Sequence, residues 1–307
     1  MKNLNGLIYV FFNVKMANHE SERASIENTG YFQESAPLQQ TSTRYAVTRC
    51  LFSGQTDSAR SVIIENPEYG RMLFIDNELQ SCTYDEHIYH ETLVHPVMRS
   101  LDHIDDKRVL VIGGAEGATV REVLRWGPNK VRSVDWVDID GALVHVCRTH
   151  LNYAPASVYS RRNIHYYAQD IMVFLNNPNT HSKYHCIIID LPDPDPNEHV
   201  LYRAEFWRLV RRALKSRGAV VSHTGPVEPG AGRQEGLDII RSGAMLHNRF
   251  ERGYAYHTMV PSFQGEWGFW MSCAPSLRGN FPDQCRVVSN HYQGTIFHWD
   301  RHWNVMN

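Results

Sequence analysis

Several apolar runs in this sequence end on an acid or a glycine turn. Ile187, Ile188 and Ile189 lead to Asp190; Trp136 and Val137 lead to Asp138; a short run through Ala168 precedes Asp170; and Ile112 runs into Gly113, Gly114, Ala115, Glu116 and Gly117. An apolar run closed by one carboxylate is a buried strand that delivers a single charge to its C-terminal end, and such ends line the ligand crevice of an open α/β sheet. A glycine turn there lets backbone approach a ligand beside helix N–H groups, although tight strand-to-helix packing would ask for the same residues. The dinucleotide fingerprint G-x-G-x-x-G is not met. Ala115 stands at its second glycine, and Glu116 would repel a pyrophosphate. A cationic or neutral ligand is therefore expected, with Asp138 placed to accept both hydroxyls of a ribose and Asp170 to accept from an adenine amino group.

Asp190 is followed by Leu191, Pro192, Asp193, Pro194, Asp195, Pro196 and then Glu198. The prolines keep this loop extended and deny it helix, so its acids project. With Glu116 across the crevice they would make an acidic funnel for a polycation; taken alone, the segment reads equally as a solvated acidic turn. His87, His90, Glu91 and His95 suggest a metal site, but H-E-x-x-H would need histidine at position 94, where Val94 stands, so none is expected. Trp267 could wall a channel for ammonium groups, which aromatic faces attract, although alternate aromatics beside a strand are more often core. Trp270 reads as core.

The elements that must position these residues alternate in period. Over 45–82, short strands at 46–52, 61–65, 72–75 and 78–82 are separated by turn chemistry, which predicts a small antiparallel sheet. Thr83 to Glu86 matches a capping box, so a helix should begin near Asp85 and carry Tyr89, His90 and Glu91. From Lys107 onward, strands at 108–112, 131–139, 165–168 and 185–189 alternate with helices at 118–126, 142–151 and 171–175, the spacing of βα units in a parallel sheet. The fold class is α/β with a small β domain in front. The apolar run 6–14 is too short to span a bilayer, and no small-x-small cleavage site follows it. Met16 followed by a polar stretch reads like a second start and a disordered arm. The tail from about Pro275 should wrap a surface.

Composition narrows the function. With 31 basic and 33 acidic residues among 307, the chain has no electrostatic footprint for nucleic acid or an anionic membrane. Its six cysteines form no C-x-x-C pair, which suits a reducing compartment and gives no zinc spacing.

The order Gln80, then Tyr89, His90 and Glu91, the Gly113 to Gly117 turn, Asp138 with Asp140, Asp170, Asp190 with Asp193, and Val260, Pro261, Ser262 and Phe263 before Trp267 resembles the polyamine aminopropyltransferases, the spermidine and spermine synthases. The resemblance covers roughly 45–275. Glu116 in place of the usual aspartate, Asp138 in place of glutamate, and Thr224, Gly225 and Pro226 are most similar to the thermospermine-synthase type. It implies a Rossmann-like sheet of the class I methyltransferase type, divided as an arm or leader at 1–43, an N-terminal β-sheet domain at 44–84, a catalytic domain at 85–275 and a tail at 276–307.

The resemblance also implies the chemistry. An aminopropyl group would pass from decarboxylated S-adenosylmethionine, a co-substrate rather than a bound cofactor, to an amine of putrescine, spermidine or a longer polyamine, releasing methylthioadenosine. Asp190 would be the base and orient the nucleophile. Gln80, Gly113, Gly114, Glu116, Asp138 and Asp170 would hold the donor, and Tyr89, His90, Asp193, Phe263 and Trp267 the acceptor. A cytoplasmic homodimer or homotetramer is expected, with no nucleic-acid, membrane or metal partner. Three departures stand out: Ala59 replaces a glutamine that contacts the donor, unless Gln55 substitutes; Phe263 replaces a tyrosine; and His223 replaces a frequent glutamine. Two alternatives stay open, an S-adenosylmethionine-dependent small-amine N-methyltransferase on the same fold and a non-catalytic polyamine- or nucleoside-binding paralogue.

Overall fold

Polar sequence with a few well-spaced apolar anchors builds the first elements. A computed structural model describes residues 20–36, 41–194, 201–227, 235–245, 250, 252–276, 280–289 and 295–298. Helix α1 (Glu20–Thr29) and the hairpin of β1 (Tyr31–Ala36) and β2 (Thr41–Ala46) occupy much of the segment expected to be a disordered arm over 1–43. Three side chains correct that expectation. Ile26 and Phe32 are buried, and the Phe32 ring lies 4.4 Å from that of Phe74. Glu22 of α1 also takes hydrogen bonds from Ser53 Oγ (2.8 Å) and Arg60 Nε (3.3 Å). The run 6–14 and Met16 lie outside the described residues.

Strands β3 (Arg49–Gln55), β4 (Arg60–Asn66), β5 (Gly70–Ile75) and β6 (Glu78–Cys82) form the expected antiparallel sheet. Helix α2 (Glu86–Ser100) follows and carries Tyr89, His90 and Glu91. The expected capping box is not made. Thr83 Oγ1 instead accepts from the Arg71 amide (3.1 Å) and bonds to the Arg71 carbonyl (3.3 Å), so it extends the β5–β6 pairing rather than capping α2.

The chain then alternates through β7 (Lys107–Gly113), α3 (Ala118–Leu124), β8 (Val131–Asp138), α4 (Gly141–His150), β9 (Ile164–Ala168), α5 (Ile171–Asn176), β10 (Tyr184–Asp190), α6 (Ala204–Ala213), β11 (Leu214–Pro226), α7 (Glu235–Met245), β12 (Tyr254–Val260) and β13 (Gly265–Met271). One compact unit draws its described residues from 1–86, 115–117 and 139–162, the other from 87–114, 118–138 and 163–307. The second unit holds a seven-stranded sheet in the order β12-β13-β11-β10-β7-β8-β9. Its strands from β9 to β11 run parallel, and β13 pairs antiparallel with both β11 and β12.

Central strands β7 and β10 are buried almost throughout, which is why they read as continuous apolar runs. Phe206, Leu209, Val210 and Ala213 recur at helical spacing on α6 and join Trp207, Ile187, Ile189 and Trp270 in one apolar cluster. From β7 the chain moves outward to β8 and β9, then returns to lay β10 on the other side of β7. That reversal is the switch point at which such sheets open a crevice. Gly113 and Asp190 face each other across it in register. Among the described residues no helix is long and apolar enough to cross a membrane.

Candidate active site

The close approach of two strand ends explains the glycine turn. Gly113 and Gly114 have φ of 77° and 70°, and the Gly114 amide donates to the Asp190 carbonyl (2.9 Å). A Cβ on Gly113 would lie 2.1 Å from that carbonyl oxygen, and one on Gly114 would lie 2.7 Å from Asp190 Oδ2. Glycine is therefore required at both positions whether or not a ligand binds there. The Asp190 carboxylate is held at both oxygens: Tyr89 Oη donates to Oδ1 (2.7 Å) and Thr119 Oγ1 to Oδ2 (2.5 Å). Thr119, at the start of α3, was not singled out by the sequence. Its position in the first turn after the glycines was the only signal.

Aromatic rings gather on the same side. Tyr89 meets His90, His223, Phe269 and Phe263 at centroid distances of 5.1, 5.8, 5.6 and 6.3 Å. Trp267 lies 4.5 Å from Phe263 and stacks on His223 at 6.3 Å. His90 is buried behind Tyr89. His223 donates from Nε2 to the Leu191 carbonyl, because a carbonyl oxygen can only accept. Among the described residues, His223 Nδ1 and Trp267 Nε1 are buried with no hydrogen-bond partner, and Nδ1 stands 3.6 Å from Asp193 Oδ1, too far for a hydrogen bond. The Asp193 side chain keeps 51% of its surface exposed; the protein around it still desolvates the carboxylate and raises its pKa, against a lowering pull from His223. Asp195 and Glu198, the rest of the expected funnel, lie outside the described residues.

Asp138 and Asp170 stand at the ends of β8 and β9. Asp138 is nearly buried, and its carbonyl accepts from the Gln169 amide (3.0 Å). Asp170 caps α5: its Oδ1 accepts from the amides of Met172 (2.6 Å) and Val173 (3.2 Å), so part of its carboxylate already has structural work. Trp270 is core, as expected. Of the histidines and acid considered for a metal, Glu91 and His95 have protein partners. Glu91 accepts from Arg125 and from the amides of Arg286, Val287 and Val288, and His95 bonds to Glu122 and Trp126.

Gln80 and Glu116 belong to the first unit. Glu116 Oε1 accepts from Ser81 Oγ (3.0 Å), and the Glu116 carbonyl accepts from Tyr159 Oη (3.3 Å). Gln80 donates to the Glu78 carbonyl of its own strand (3.2 Å). Beside the departure at Ala59, the β3–β4 turn is closed on Asp140, which accepts from Thr56 Oγ1 (2.6 Å), Ser58 Oγ (2.7 Å) and the amides of Asp57 and Ser58, while Asp57 caps Ala142. Gln55 is exposed at the end of β3.

With this geometry in hand, known proteins can be compared. Residues 86–281 match the family described as the spermine/spermidine synthase domain, and residues 30–82 match the spermidine synthase tetramerisation domain. A polyamine aminopropyltransferase of Saccharolobus solfataricus is 33% identical over 227 residues, covering 73% of this chain and 72% of its own. One from Synechococcus sp. is 36% identical over 231 residues, covering 74% and 72%. Among solved structures, spermidine synthase from Thermotoga maritima superposes with a TM-score of 0.75 at 21% identity, and a spermidine synthase in complex with the transition-state analogue AdoDATO with 0.76 at 22%; each comparison covers 88% of this chain and 92% of the other. The fold is thus the Rossmann-like sheet of the class I methyltransferase type with a small antiparallel β domain before it. This chain belongs to the spermine/spermidine synthase family of transferases.

Proposed function

We propose that this protein transfers the aminopropyl group of decarboxylated S-adenosylmethionine to an amine of a polyamine, in thermospermine, spermine or spermidine synthesis, and releases methylthioadenosine. One observation carries the reading: Asp190 and Asp193 stand beside a wall of Tyr89, His223, Phe263 and Trp267, and among the described residues no lysine or arginine pairs with either acid. The names of the curated relatives support it.

A polyamine arrives protonated and cannot attack until one nitrogen loses a proton. Asp190, its carboxylate steadied by Tyr89 and Thr119, takes that proton. The freed lone pair forms the new C–N bond at the carbon beside the sulfonium, and the breaking C–S bond leaves its electrons on sulfur as a neutral thioether. The proton passes from Asp190 to solvent. Because the sulfonium is already an activated leaving group, holding the two reactants in line supplies much of the acceleration. Asp193 holds a remote ammonium of the acceptor, and Phe263, Trp267, Tyr89 and His90 shape its path. Glu116 and Gln80 serve the aminopropyl end of the donor, Asp138 its ribose, Asp170 its adenine, and Gly113 and Gly114 the backbone beside it. The enzyme works in the cytoplasm as a homodimer or homotetramer.

The test is to incubate the protein separately with decarboxylated and intact S-adenosylmethionine and with a di-, a tri- and a tetraamine, and to weigh the products. Gain of one aminopropyl unit is expected. A methyl gain would instead make this an amine methyltransferase, and donor binding without product a non-catalytic paralogue.

A further inference from the structure

Thr119 is fully buried, yet its hydroxyl does not turn back to its own helix as a buried threonine's commonly does; it reaches the end of β10 and donates to Asp190 Oδ2 at 2.5 Å. Tyr89 Oη fixes the other oxygen. One donor alone would leave the carboxylate free to swing about its terminal torsion, which is broad and soft. Two donors on different elements, α2 and α3, define its plane. The absent side chain of Gly114 leaves Oδ2 room in that plane, since a Cβ there would lie 2.7 Å from it. Two hydroxyls occupy two of the about four lone-pair directions of a carboxylate, so the others stay available to an incoming N–H.

We propose that Thr119 is a positioning residue for the transfer step: its hydroxyl holds the Asp190 carboxylate in the plane from which it takes the proton of the attacking amine. The inference rests on Asp190 being that base. Base and amine must meet in hydrogen-bond geometry, and a displacement of roughly 1 Å can cost about a hundredfold in rate. Glycine at 113 and 114 lets the strands approach, and Thr119 uses that approach.

Thr119→Val keeps the volume and removes the donor. Its kcat should fall by about 10- to 100-fold, with donor and polyamine KM changed by no more than roughly twofold. Thr119→Ser, which keeps the hydroxyl, should recover kcat to within about threefold of native. In an Asp190→Asn background, Thr119→Val should add no further loss, because the group it positions no longer acts. Thermal melting of each variant gives the folded fraction, and Thr119→Ala replaces valine if valine does not fold. Native kcat in Thr119→Val, no rescue by serine, or full additivity with Asp190→Asn would overturn the inference. Native turnover in Asp190→Asn alone would overturn the base assignment instead, so the two failures are distinct.

Discussion

The second unit contains two populations of acids, and they are treated differently. Asp135 is buried in β8 and accepts from Lys183 Nζ (2.5 Å), Tyr184 Oη (2.6 Å) and His165 Nδ1 (2.9 Å). Glu122 is fully buried between Arg121 (2.7 Å), Arg125 (2.8 Å) and His95 Nε2 (3.0 Å). The Trp126 indole donates to His95 Nδ1, so His95 must give its Nε2 proton to Glu122. Burial alone would raise both carboxyl pKa values; the Lys183, Tyr184 and His165 hydrogen bonds at Asp135, and His95 with the two arginines at Glu122, outweigh it and hold both below the ordinary range. Among the described residues, Asp190 has only two hydroxyls, and Asp193 only an imidazole at 3.6 Å. The fold neutralises the first population itself. It leaves the second with charge to spare, and a cationic substrate can supply what is missing.

The sharpest way to break this comparison is to remove the charge at Asp190. Asp190→Asn keeps the shape and one acceptor oxygen, so one hydroxyl keeps its bond while the other meets an NH2 group, and the side chain cannot take a proton. Turnover should fall by about 10³-fold, within the range general-base removal produces, while donor affinity measured by calorimetry stays within roughly threefold. Near-native turnover would place Asp190 with the structural acids.

Removing charge from the other population should act on folding. Asp135→Asn leaves the partly exposed Lys183 without its counter-ion and weakens a charged hydrogen bond, which costs about 1–3 kcal/mol. The sign of the pH effect follows from the depressed pKa values. Stability from Asp135 and Glu122 is fully present above the unfolded carboxyl values of about 4 and is lost as pH falls through their lower folded values. Urea unfolding at a series of pH values should therefore show a shallower acid-side loss in Asp135→Asn than in the native protein, with activity per folded molecule retained. An equal acid slope would show that Asp135 is not compensated as its geometry indicates.

How far these differences were legible in the sequence depends on how local their causes are. Asp138, Asp170 and Asp190 stood out because each ends an apolar run, a pattern carried within a few residues, and the parallel sheet followed from the same runs. The glycine turn was visible, but not that Asp190 is what it makes room for. Thr119 and Asp190 meet from 71 positions apart, and Asp135 finds Lys183 and Tyr184 from 48 and 49. No local pattern records such partners, so Glu91 could be read with Tyr89 and His90 as part of a site although its carboxylate ties the backbone of 286–288. Thr83 matched a capping box in sequence, but strand pairing claimed its hydroxyl first. Helix α1 and the β1–β2 hairpin were missed because two or three buried side chains suffice to order a segment whose composition is polar.

The smallest expected effect separates Asp193 from Asp190 within the site. An ammonium held by a half-exposed carboxylate is worth roughly one power of ten, so Asp193→Asn should raise the polyamine KM about tenfold and leave kcat within about threefold. The raised pKa of Asp193 gives this a pH signature. Below that pKa the carboxyl is neutral and cannot hold an ammonium; as pH rises through it, the charge forms and the native KM should fall. Asp193→Asn has no charge to form, so its KM should lack that decline, and the native and variant KM values should converge at low pH. His223 pulls the pKa of Asp193 down, so His223→Gln should leave the decline in place and move it to higher pH. If Asp193→Asn instead lowered kcat at unchanged KM, Asp193 would take part in the transfer itself, and the division of labour between the two acids would fail.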